Sequence, residues 1–137
     1  MTIDTMDNIA TWHRVAKNHD VEGLYQLIDE AAVFYSPIVH SPQFGKAVVG
    51  HYLSAALFVF FNDSFNYVRE LHGVGQAILE FEVEIEGIKV NGVDMIRWND
   101  AGLITEFKVM LRPLKAVNLI HEQMGAMLKA RMPSAVK

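Results

Sequence analysis

The alternation between Leu79 and Glu86 constrains this chain more than any other feature. Leu79, Phe81, Val83 and Ile85 interleave without a break with Glu80, Glu82, Glu84 and Glu86. Successive side chains of a strand point to opposite faces, so the stretch predicts a strand with one dry and one wet face. Across the Glu86-Gly87 turn a second strand-like run, Val90 to Trp98, should pair with it.

That second run breaks its own pattern at one position. Val90, Gly92, Asp94, Ile96 and Trp98 share a face, and Val93, Met95 and Arg97 share the other. If the first set faces inward, Asp94 is a lone carboxyl group on an apolar wall. A buried carboxylate is so costly that it either finds a partner or stays protonated at neutral pH. Two readings stay open for Asp94: an acid in a pocket, or a structural carboxylate paired with Arg97, Arg112 or a backbone amide.

Around this pair of strands the remaining periodicities predict an α+β order. Residues 7–18 read as a helix through Ile9, Trp12, Val15 and Ala16, and Asn18-His19-Asp20 supplies its stop and a new N-cap. A short helix over about 21–30 carries Leu24, Leu27 and Ile28. A strand from Ala32 to Ser36 is ended by Pro37, which cannot donate to a ladder. Ile38 to Phe44 reads as a loop or irregular strand. The helix over about 46–61 is apolar nearly all round, so both its faces should be covered. Strands are expected at about 65–76, 77–86, 88–98 and 103–112, with a turn at Asn99-Asp100-Ala101-Gly102. In the last strand Phe107, Val109 and Leu111 face inward, and Ile104 and Met110 point away. After Pro113 a final helix runs to about Arg131, with Leu114, Val117, Ile120, Met124 and Met127 on one stripe that Met132 extends. These elements predict helices segregated to one side of a curved antiparallel sheet.

The 137 residues make one expected domain, spanning the whole chain, and 51 % hydrophobic content places it among globular proteins. The net charge is −4 and the basic residues are scattered, which argues against a nucleic-acid partner. Without cysteine there is no disulfide, thiolate metal site or cysteine nucleophile. Met1 to Ala10 lacks the pattern of a secretory signal, and Ala55 to Phe61 is too short to span a bilayer, so a soluble cytoplasmic protein with no membrane partner is expected. The six histidines form no pair at metal spacing, and no glycine-rich loop follows a strand. Neither a metal nor another cofactor is indicated.

Several of these residues together resemble a known family. Trp12, Asp20, Phe34-Tyr35-Ser36-Pro37, Gly45, Gly92-Val93-Asp94 and Asp100-Ala101-Gly102-Leu103-Ile104 resemble the nuclear transport factor 2-like superfamily, particularly its SnoaL-like members, from about residue 8 to 131. The resemblance implies a cone, made by a strongly bent sheet wrapped on three helices, with a deep pocket at its open end. It also implies a homodimer through the outer sheet face. The superfamily holds ketosteroid isomerases, polyketide cyclases, dehydratases, epoxide hydrolases and non-catalytic binding proteins. In the isomerases a helix-1 tyrosine, a first-strand aspartate and a later strand aspartate carry the chemistry. Here Trp12 stands at the first place and Ser36 at the second, while Asp94 matches the third. The aldol-type cyclases, which rely mainly on the strand acid, match better in that respect.

The candidate catalytic residues are therefore Asp94 and His40, a loop histidine beyond Pro37 that is expected near the cone mouth. Trp12, Ser36, Tyr52, Phe81, Ile96, Phe107 and Val109 are the candidate ligand-binding residues. The expected function is binding of a small apolar molecule in a deep pocket. The alternative is an acid–base enzyme (isomerase, aldol-type cyclase or dehydratase) that uses Asp94 on an apolar carbonyl or hydroxyl compound. Apolar residues on faces pointing away from the pocket, Val93, Met95, Ile104 and Met110, independently point to a homodimer.

Overall fold

The computed structural model describes residues 3–131. The chain opens with α1 (Thr5–Lys17) and α2 (Val21–Gln26), then β1 (Ile28–Tyr35), a two-residue β2 (Gln43–Phe44) and α3 (Lys46–Phe60). Four strands follow, β3 (Asn66–Gly73), β4 (Gln76–Ile85), β5 (Ile88–Trp98) and β6 (Ile104–Arg112), and α4 (Leu114–Ala130) ends the fold. The strands form one curved, unclosed sheet in the order β2-β1-β6-β5-β4-β3.

The β4–β5 hairpin is the part the sequence predicts most sharply. Its register runs from Gln76 opposite Arg97 to Ile85 opposite Ile88, without a slip. Glu86 and Gly87 both take positive φ, 50° and 78°, the geometry of a two-residue turn whose twist matches the strands. Leu79, Phe81, Val83 and Ile85 are buried, as are Val90, Gly92, Asp94, Ile96 and Trp98 across from them. Gly92 is needed there: a Cβ at this position would overlap the Phe81 ring and sit 2.7 Å from Leu111 Cδ2.

Three details differ from the sequence reading. The helix expected over about 21–30 stops at Gln26, because Ile28 already pairs with Ile104 and the Ile104 N–H donates to the Leu27 carbonyl at 2.6 Å. Sheet pairing overrides local helix preference here. The β1–β6 pairing that results is parallel, the one such pair in a sheet otherwise antiparallel. Finally, the β5–β6 register shifts between Arg97 and Trp98, so Trp98 faces Ile104 while Arg97 faces Glu106. The extra residue turns Ile104 inward to full burial, and it is not part of the outer face.

Inside the curve, α1 contributes Ile9, Trp12 and Val15, and α3 contributes Val49, Leu53 and Leu57, to a core shared with Leu79, Ile96 and Phe107. A second cluster, with Phe60, Phe81, Val83, Ala116 and Ile120, seats α4 over the open end of the sheet. Met132 lies outside the described residues. No helix among the described residues is long and apolar enough to cross a membrane.

Candidate functional site

Asp94 stands in the middle of β5, opposite Leu79 on one side and Val109 on the other. It is only 6 % exposed. Strand alternation aims it into the concave side, where α1 and α3 lie. Neither Arg97 nor Arg112 reaches it: Arg97 pairs with Glu106 at 3.5 Å, and Arg112 donates to Asn91 at 3.3 Å. Its partner is Tyr67 of β3, whose hydroxyl donates to Asp94 Oδ2 at 2.6 Å.

The direction of this contact is fixed one residue further back. The Trp12 indole N–H, which can only donate, donates to the Tyr67 hydroxyl oxygen at 3.0 Å. The tyrosine's single proton is then directed at Asp94. Burial, reinforced by the neighbouring Asp94 carboxylate, holds the Tyr67 phenol well above its ordinary value of 10.0, so it keeps that proton. Burial also raises the Asp94 carboxyl from 3.8 to about 7, against the opposing pull of the Tyr67 hydrogen bond. With Oδ2 committed to Tyr67, Oδ1 is the atom left to carry or release a proton. A carboxyl that is half protonated near neutrality can both donate to and accept from a ligand.

Asp94 borders a narrow cavity of about 30 Å³, walled by Trp12, Phe61, Phe65, Phe81 and Phe107 among others. Asp94 is the one ionisable side chain on that wall. Ala56, Phe60 and Val109 line both this deep lobe and a larger outer lobe of about 200 Å³. The outer lobe lies between the loop after β1, α3 and α4, with Ser36, Tyr52, His121 and Met124 on its wall.

The structure thus distributes the sequence candidates over two neighbouring lobes that share Ala56, Phe60 and Val109. Trp12, Phe81, Asp94, Phe107 and Val109 border the deep lobe, and Ser36, Tyr52 and Val109 the outer one. Ile96 is buried beneath, in the core, and lines neither lobe. Ser36 Oγ accepts the backbone N–H groups of Ile38 at 2.9 Å and Val39 at 3.4 Å. That turn puts Ile38 and Val39 on the outer lobe and leaves His40 exposed, lining neither lobe; it is not brought to Asp94. Two residues at the site carry no signal in the sequence reading. Tyr67 sits on an edge strand that is otherwise exposed, next to a register shift between Tyr67 and Arg69 that destroys alternation. His121 follows Ile120 on α4, just off the predicted apolar stripe.

Asp94 is thus a buried acid on the inner side of a bent sheet covered by helices. Comparison with known proteins gives the class. The chain is 36 % identical to a steroid delta-isomerase from Pseudomonas aeruginosa, over 91 % of each chain, with a TM-score of 0.84. An uncharacterised bacterial protein with a cystatin-like fold from Silicibacter pomeroyi is 29 % identical over 87 % of this chain and 83 % of that one, with a TM-score of 0.79. A structure from Shewanella denitrificans described as a SnoaL-like polyketide cyclase shares the fold at 13 % identity, covering 92 % of this chain and 97 % of that one, with a TM-score of 0.62. No protein-family profile and no curated protein matches the chain. The chain belongs to the nuclear transport factor 2-like superfamily, in the company of its SnoaL-like members.

Proposed function

We propose that the cone binds a small apolar carbonyl or hydroxyl compound whose oxygen meets Asp94. The observation that carries this reading is the Trp12–Tyr67–Asp94 chain of hydrogen bonds at the base of an otherwise apolar cavity. It fixes one carboxylate oxygen and leaves the other to the ligand. In a water-poor aromatic setting that contact is stronger than in solvent, because the local dielectric is low.

Likeness to a steroid delta-isomerase, together with a carboxyl near 7, supports extending this reading to catalysis. Asp94 is the one acid on the deep lobe, and Ser36 stands where the family resemblance places an aspartate base. The chemistry that suits a single carboxyl is transfer of one proton within one molecule. In that reaction the carbon beside the carbonyl, in place of the oxygen, meets Oδ1: as carboxylate, Asp94 would take a proton from the carbon between a carbonyl and a double bond. The electron pair would spread onto the carbonyl oxygen as a dienolate. Returning the proton at the far end of the former double bond would leave the conjugated ketone. No cofactor enters this sequence.

The test is the conversion of 3-cyclohexenone to 2-cyclohexenone, followed by the ultraviolet absorbance of the conjugated product. Asp94→Asn should retain the fold and lower the rate by at least ~100-fold, the scale for losing a positioned proton-transfer group. Equal rates for the two proteins would remove Asp94 from the chemistry and leave only the binding reading.

The outer sheet face supports assembly as a homodimer. Leu71, Ile78 and Met110 are 60 %, 43 % and 51 % exposed there and border one shallow apolar depression with Val93. Light scattering should give twice the 15.4 kDa of one chain, and a value of one chain across micromolar concentrations would refute the dimer.

A further inference from the structure

The two lobes differ in size and in chemistry, and the difference specifies a ligand. The deep lobe, at about 30 Å³, has room for little more than one oxygen and the carbon that bears it. The outer lobe of about 200 Å³, which shares Ala56, Phe60 and Val109 with it, offers room for the body of a ligand. Both lobes fall below the ~300–1,000 Å³ typical of sites for drug-sized molecules. A lobe of that size suits a compact ligand of one or two rings better than one of four.

The outer lobe also carries polar groups. Among the described residues the Tyr52 hydroxyl and the His121 ring line it and make no hydrogen bond to protein. Ser36, the remaining polar side chain besides these two, has its oxygen engaged by the turn. Tyr52 is half-buried and His121 exposed, and polar side chains free of protein partners at a largely apolar cavity can fix a ligand's orientation. Tyr52 is held in place by stacking on Phe34, with ring centroids 5.4 Å apart.

We infer that the ligand is a one- or two-ring compound that puts a single carbonyl or hydroxyl oxygen into the deep lobe and carries a second hydrogen-bonding group against Tyr52 and His121. The inference rests on the reading that the ligand oxygen meets Asp94. It makes Tyr52 and His121 specificity-determining residues, with no part in proton transfer.

Calorimetric titration with four probes tests size, head and tail separately. 2-Naphthol should bind the native protein at least tenfold more tightly than 2-methylnaphthalene, and Asp94→Leu should abolish that preference. Naphthalene-2,6-diol should bind at least fivefold more tightly than 2-naphthol, and the double variant Tyr52→Phe/His121→Leu should erase that gain alone. Estradiol, a four-ring phenol, should bind at least tenfold more weakly than 2-naphthol. If estradiol binds as tightly, or if the diol gains nothing, the inference is overturned while the preference for a hydroxyl head still supports contact with Asp94. If the head preference is absent from the native protein, the contact with Asp94 fails. The comparisons within the native protein decide the matter even if a variant does not fold. Failure of every probe to bind below millimolar concentration would overturn the inference as well.

Discussion

Asp94 and Glu80 lie on adjacent strands of the same hairpin, one on each face of the sheet, and they have opposite fates. Glu80 accepts from Arg69 Nε at 3.0 Å and from Asn91 Nδ2 at 3.0 Å, on a face open to water. Asp94 is buried and meets one neutral donor. Glu80 is held by two side-chain donors on the outer face, a structural arrangement. A lone hydroxyl in an apolar setting leaves burial to dominate, so the group titrates where a ligand can use it. The contrast is made by alternation alone, because a shift of one residue would exchange the two faces.

The largest effect that bears on this contrast concerns the inner wall. Phe107→Ala should destabilise the protein by about 3–5 kcal/mol, since it removes a buried ring that packs on Trp12, with ring centroids 5.1 Å apart. Met110→Ala, three residues on and half exposed, should cost far less in urea unfolding. Similar costs for the two would mean that the faces are not distinct.

The next effect is one of pH. A folded-state value of about 7 against 3.8 means that the folded protein binds this proton more readily than the unfolded chain does. The associated stability is fully present below 3.8, is lost as pH rises, and is gone above about 7. Native protein should therefore lose about 2–3 kcal/mol more than Asp94→Asn between pH 5 and pH 8. Parallel pH profiles in chemical denaturation would show that burial does not raise Asp94 and would contradict the contrast.

Gly92→Ala sharpens the comparison at backbone level, because its Cβ would press on Phe81 and Leu111 from the inner face. A loss of about 1–3 kcal/mol is expected. The smallest effect belongs to the outer face. Arg69→Ala removes an exposed ion pair and should change stability by less than ~1 kcal/mol. A larger loss there would show that the outer carboxylates hold the sheet together.

Legibility in the sequence followed the same division. Both strands of the β4–β5 hairpin alternate cleanly, so the inward place of Asp94 could be read from Val90, Gly92, Ile96 and Trp98 alone. Its partner could not. Tyr67 is 27 residues away, on an edge strand whose burial pattern carries no alternation. Ile104 was misplaced because a bulge is a pairing event between strands and leaves no local mark in composition. The helix expected over 21–30 failed for a similar reason, since the pairing of β1 with β6 is a contact between segments far apart in the chain. His40, expected near the cone mouth from its distance to Pro37, is exposed and lines neither lobe, while its neighbour Val39 lines the outer one. Periodicity reports which face a residue takes; it does not report what a second element brings to that face.

The most direct test of the account is the titration of the Asp94 carboxyl carbon by NMR, in native protein and in Tyr67→Phe. The native group should titrate near 7, and removal of the Tyr67 hydroxyl should raise it further, because that hydrogen bond favours the carboxylate. A carboxyl titrating at or below 3.8, unmoved by Tyr67→Phe, would contradict the account and place Asp94 with the structural carboxylates of the outer face.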